Sequence, residues 1–88
     1  MSDRVEELRA WIAECDTTVL ATVARRVELV GELREVKAAA GLDFVDPEQE
    51  RRLEDALVAA NDGSLSEAGV RELVAALLAL TKRELERR

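Results

Sequence analysis

Apolar side chains recur along the chain at the spacing of a single helical stripe. Between residue 3 and about residue 40 there is no proline and only one glycine, Gly31. Within that stretch Val5, Leu8, Ile12, Cys15, Val19, Val23, Val27, Val30 and Leu33 follow one another at intervals of three and four. This pattern predicts one long amphipathic helix. Asp3 followed by Glu6 resembles a capping box at its start. Ala38-Ala39-Ala40-Gly41 ends it with a residue that accepts the left-handed cap. Residues 42–45 read as a short loop. Asp46-Pro47-Glu48-Gln49 then supplies an N-cap, a proline at the first helical position and a Gln at N3. The second helix carries Leu53, Ala56, Leu57 and Ala60 on its apolar face, and Asn61-Asp62-Gly63 stops it. Ser64 with Glu67 reads as the next capping box. The third helix runs to about Glu86 on Val70, Leu73, Val74, Leu77, Leu78 and Thr81.

The predicted lengths do not match. At 1.5 Å per residue the first helix is roughly 55 Å long, the second ~23 Å and the third ~33 Å. The two shorter helices can cover one side of the long one and leave its other flank bare. Chains this short commonly complete a core by association. The expectation is an all-α fold of three helices with a very long first helix, forming a single domain over residues 1–88. Two copies would associate as an intertwined homodimer with their long helices packed along each other. A three-helix monomer is the alternative.

Composition narrows the chemistry. Thirteen Lys and Arg against 19 Asp and Glu give a net charge of −6, which argues against a nucleic-acid partner. With no His, a Ser-His-Asp triad is impossible, and a single Cys forms neither an internal disulfide nor a thiolate zinc site. Cys15 lies on the apolar stripe and reads as a small core residue. No apolar run approaches the ~18 residues of a membrane span, and no signal-peptide core is present, so a cytoplasmic setting is expected. At 48% hydrophobic and 2% aromatic residues, the core must be built from Leu, Val and Ala.

The informative residues are the polar ones on the apolar stripes. Arg26 stands seven residues after Val19, where an apolar side chain belongs, and Lys37 lies about 20° off the same line. Two cations on one stripe require either snorkelling, or pairing with Asp46 or Glu50, or a bound anion. Asp46 and Glu50 share one side of the second helix's first turn. Gln49 has a structural role as the N3 partner of the cap. Thr81 sits on the stripe of the third helix, where a hydroxyl most often bonds back to the preceding carbonyl. Arg9 lies about 100° round the first helix from Arg26 and ~26 Å away, so the two share a ligand only across an antiparallel dimer. Trp11 flanks the stripe as packing for the dimer seam. Residues 82–88 read as a charged, solvated helix end whose cations suit the dipole.

Leu8-Arg9 with Ile12 and Asp16, Arg25-Arg26, Lys37, and Asp46-Pro47-Glu48-Gln49-Glu50 resemble, in order and spacing, the all-helical AroQ-type chorismate mutases. The similarity covers nearly the whole chain. It implies an isomerase that rearranges chorismate to prephenate within aromatic amino acid biosynthesis, by a pericyclic step needing no cofactor or metal. It also implies an interlaced dimer in which each site borrows an arginine, here Arg9, from the other subunit. By the same resemblance Arg26 and Arg9 clamp the carboxylates of the substrate, and Lys37 meets the ether oxygen. Asp46 and Glu50 accept from the ring hydroxyl, and Thr81 stands where the family commonly has Ser near a carboxylate.

Two positions depart from that pattern. Gln49 stands where the family often has Arg, and Leu85 where it usually has a Gln or Glu that donates to the ether oxygen. Losing one such donor lowers the rate by ~10²–10³. The departures leave room for an activating partner enzyme, or for 4-amino-4-deoxychorismate as substrate, since Gln in place of Arg favours a ring ammonium. An isochorismate-pyruvate lyase and a non-catalytic helical regulatory dimer are the remaining alternatives.

Overall fold

Three helices, α1 (Asp3–Ala39), α2 (Pro47–Ala60) and α3 (Glu67–Glu86), make up the computed structural model, which describes residues 3–88. Among those residues there is no strand. α1 is unbroken over 37 residues and closes in a Schellman turn. Gly41 takes φ 72°, its N–H reaches the Ala38 carbonyl at 3.2 Å, and the Leu42 N–H reaches that of Lys37 at 2.8 Å. A positive φ at that position favours glycine. At the other end Asp3 is already helical. Asp3 is therefore not the cap of a box with Glu6.

α2 starts as its sequence predicts. Asp46 is extended, its carboxylate accepts from the Gln49 N–H at 3.2 Å, and Pro47 follows at N1. α3 starts later than predicted, because Ser66 and not Ser64 is its cap, accepting from the Gly69 N–H at 3.0 Å. Ser64 is held in the preceding turn, its N–H and hydroxyl donating to the Asp62 carboxylate at 2.9 and 2.6 Å. Those two bonds hold the Asp62 carboxyl below its ordinary pKa. Asn61 bonds the Leu65 carbonyl at 2.6 Å. With residues 61–65 tied into a turn, the helix begins three residues beyond Ser64.

α3 is the hub, packing against both other helices. It runs antiparallel to α2, where Arg71 meets Glu54 at 2.6 Å. That bond raises the Arg71 pKa and leaves Glu54 only half-buried on the helix face. The predicted apolar face of α2 is realised at Leu53 and Leu57, joined by Val58, while Ala56 and Ala60 are exposed. Against α1, by contrast, α3 runs parallel. Arg26 meets Thr81, Gly31 meets Leu85, and Glu28 pairs with Arg88. Val27, Val70, Val74 and Leu85 form the buried core.

The core occupies only one end of α1. Every described residue from 3 to 22 is exposed, including Ile12 at 58% and Val19 at 60%. Cys15, predicted to be core, is exposed, as is Trp11, whose ring the Arg4 guanidinium covers at 5.2 Å. The resulting protomer measures 61 × 29 × 16 Å, with a radius of gyration of 16.7 Å. A closed globule of this length has about 12 Å. The first half of α1 projects from the packed end as an apolar arm.

Candidate active site

Where α1 and α2 diverge on either side of α3, they leave a cavity of about 800 Å³. Its walls are the second half of α1, the loop at Phe44 and Val45, the first turns of α2 and the second half of α3. Six of the seven residues singled out from the sequence line it: Arg26, Lys37, Asp46, Gln49, Glu50 and Thr81. The seventh, Arg9, does not. It lies on the exposed arm, paired with Glu6 at 3.2 Å and with 72% of its side chain exposed.

Local structure fixes each group. Thr81 is 5% exposed, and its hydroxyl accepts from Arg26 Nη1 at 2.7 Å instead of bonding back along its own helix. This bond joins α1 to α3 and orients one edge of the half-buried guanidinium, leaving its other N–H groups free to donate. Lys37 sits at the C-terminal end of α1, where the helix dipole favours a cation. Its Nζ donates to the Phe44 carbonyl at 3.4 Å and forms no ion pair with Asp46 or Glu50. Asp46 is half-buried as the α2 cap. The Gln49 side chain does not reach back to close a capping box, because its Oε1 accepts from Arg52 Nε at 3.1 Å. That bond leaves the Gln49 amide as a donor.

Four more groups line the cavity that periodicity alone does not single out. Arg34 comes from α1, and Lys82, Leu85 and Glu86 come from the end of α3. Lys82 and Glu86 therefore belong to a cavity wall and not only to a solvated helix end. Their signal in the sequence was register: Ala75, Leu78, Lys82 and Glu86 follow one another at intervals of three and four. Leu85 is buried against Gly31 and brings no polar group to the cavity.

The cavity is cationic in an acidic protein. Arg26, Arg34, Lys37 and Lys82 outnumber Asp46, Glu50 and Glu86 by one, although the whole chain carries −6. Among the described residues none of these four cations has a carboxylate within ion-pair distance, whereas Arg4, Arg9, Arg52, Arg71, Arg87 and Arg88 all do. Unpaired cations converging on an apolar-walled space make a receptor for an anion with more than one acidic group. A second hollow, of about 380 Å³, lies along Ala10, Ala13 and Thr17 on α1 alone. It has no second wall and no charged group besides Glu14.

The chorismate mutase type II family model matches residues 8–86 of the chain. Two solved structures of chorismate mutase from Thermus thermophilus share the fold. Form II has a TM-score of 0.88 at 24% sequence identity and covers 98% of both chains. Form I has a TM-score of 0.85 at 24% identity and covers 90% of this chain and 99% of that one. No curated protein sequence matches.

Proposed function

The chain belongs to the chorismate mutase type II family, whose members are isomerases, and from that premise we propose that its cavity converts chorismate to prephenate. The observation that carries this is the set of unpaired cations facing Asp46 and Glu50 of α2 across one space. Chorismate is a compact dianion whose rearrangement breaks a C–O bond and forms a C–C bond in one cyclic movement of electrons. No proton moves and no group leaves. Catalysis is then a matter of holding the folded conformer and meeting the negative charge that grows on the ether oxygen.

In this reading Arg26, oriented by Thr81, takes one carboxylate through its free N–H groups. Lys37 meets the ether oxygen. Glu50 and Asp46 accept from the ring hydroxyl, Asp46 with the lone pairs its capping bond leaves free. The bond from Arg52 makes Gln49 a donor toward the substrate.

The remaining carboxylate is met by Arg9 of a second copy. The support is the arm: its apolar residues are exposed in the protomer, and Arg9 stands on it ~26 Å from Arg26, too far to serve its own cavity. Two antiparallel arms would bury these faces against each other and bring each Arg9 toward the other copy's cavity.

The test is a rearrangement assay on purified protein with chorismate and with 4-amino-4-deoxychorismate. Conversion of chorismate that falls about a thousandfold in Arg26→Ala supports the reading. Preference for the amino substrate moves the assignment to the analogue. Conversion of neither, with folding intact, overturns it.

A further inference from the structure

The proposed roles leave Lys82 unused. It stands on the α3 wall, and on a helical projection Leu78, Leu85 and Thr81 lie to one side of it, out to about 100°, and Ala75, Ala79 and Glu86 to the other, within about 60°. Lys82 is therefore near the middle of the face that α3 turns to the cavity, about 20° from its midline. The same projection of Arg26, Val30, Leu33, Arg34 and Lys37 puts Lys37 at the middle of the α1 face and Arg34 at its edge. Two lysines thus line one space from two helices, each from near the centre of its wall. Lys82 forms no ion pair among the described residues, not even with Glu86 one turn further on.

The chemistry separates lysines from arginines. A planar guanidinium presents a fork that fits the two oxygens of a carboxylate, whereas an ammonium is a compact point charge that fits a single oxygen. In the rearrangement the carboxylates are spectators. The acceptor that gains charge is one atom, the bridging oxygen. Its bond to the ring carbon breaks as the far end of the enolpyruvyl group bonds to the ring, and it ends as the ketone oxygen of the product. On the α3 side this oxygen has no help from Leu85, whose side chain is apolar and 3% exposed.

We propose that Lys82 is a catalytic residue, its ammonium meeting the bridging oxygen from α3 as that of Lys37 meets it from α1. The proposal rests on the reading of the cavity as a chorismate mutase site and adds to it a second cation for the transition state. Lys82 is an exposed residue, so its replacement leaves the core untouched. Two ammonium groups near one another repel when the cavity is empty and are relieved as charge develops between them. That makes their contribution larger in the transition state than in the ground state.

Lys82→Leu, Lys82→Gln and Lys82→Arg are compared with the wild type for kcat and KM on chorismate, with circular dichroism and thermal melts on each. Lys82→Leu and Lys82→Gln are expected to lose about 10²–10³-fold in kcat with KM within a few-fold, and Lys82→Arg to retain part of the rate. Leu85→Gln placed on Lys82→Leu is expected to recover at least about tenfold, by returning a donor one turn along the same helix. A fully active Lys82→Leu beside an active wild type overturns the proposal alone. So does a loss confined to KM, which means that Lys82 holds a spectator carboxylate. A wild type that converts no chorismate overturns the reading of the site, and the proposal with it.

Discussion

The two halves of α1 have the same stripe and opposite surroundings. From Val23 onward the helix meets α3, buries Val27 at 4% exposure and presents Arg26 and Lys37 to the cavity. From Asp3 to Thr22 it meets nothing in the protomer, yet Leu8, Ile12 and Val19 continue the apolar line without a break. Apolar periodicity states that a face is to be covered and does not state by what. In one half the cover is the α3 of the same chain. In the other, on the reading proposed above, it would be a second copy, and the same helix would then carry the site of one subunit and the arginine of the other.

The largest effect comes from breaking the second half of that comparison. Ile12→Glu with Val19→Glu places two charges on the arm face, where a like-charged pair faces them in any symmetric dimer. The variant is expected to sediment as a monomer. It should lose about a thousandfold in kcat/KM although no cavity residue has changed, because each site is then without Arg9. A monomer with full activity removes Arg9 from the site.

Complementation sharpens the same point without disturbing the arm. Arg9→Ala and Arg26→Ala are each expected to be nearly inactive. Unfolded together and refolded as a mixture, they should recover about a quarter of wild-type activity, since half the dimers are mixed and each mixed dimer has one intact site. No recovery means that both arginines act within one chain.

How much of this was legible in the sequence follows from what each signal reports. The boundaries of α2 rest on Asp46, Pro47 and Asn61, whose effects are local, and they stand where predicted. The α3 cap moved from Ser64 to Ser66, because Asp62 and Asn61 compete for the intervening turn through side-chain bonds that a cap motif does not register. Arg26 and Lys37 stood out because a cation interrupts an apolar line. Lys82 and Arg34 did not: Lys82 lies in a run of charges that also suits a helix C-terminus, and only the placement of α3 against α1 shows which of them faces inward. The partner of Thr81 is 55 residues away in sequence, a distance at which spacing carries no information.

Stability separates the halves again, by a smaller amount. Val74 is 1% exposed in the core around α3, and Val74→Ala is expected to destabilise by about 2 kcal/mol. For a domain of this size that lowers Tm by about 8–16 °C, by a similar amount at every protein concentration. In the proposed dimer Val19→Ala would act through association instead. Its effect on Tm should therefore be greatest in dilute protein, where the dimer is least populated. Equal shifts at all concentrations for both variants mean that the arm contributes to protomer folding alone.

The smallest effect is expected at Gly31, the one glycine inside α1. A glycine in a helix interior is less favourable than alanine by about 0.5–1 kcal/mol, through the freedom its backbone gives up on folding. The position is tolerated here because Leu85 docks against it. A Cβ at residue 31 meets Leu85 Cδ2 at 3.4 Å and Arg88 Nη1 at 3.5 Å, the near edge of ordinary van der Waals contact, and both atoms end flexible side chains. The helical gain is therefore kept, and Gly31→Ala is expected to raise stability by about 0.5 kcal/mol, read as a rise in Tm of a few degrees. Because Leu85 and Lys82 share the last turns of α3, kcat reports on the same contact. If alanine pushes Leu85 outward, the α3 wall moves with it, and kcat falls while Tm does not rise. A stabilised variant with unchanged kcat shows that Leu85 closes the cavity by filling space, and that the turn carrying Lys82 does not depend on a glycine opposite it.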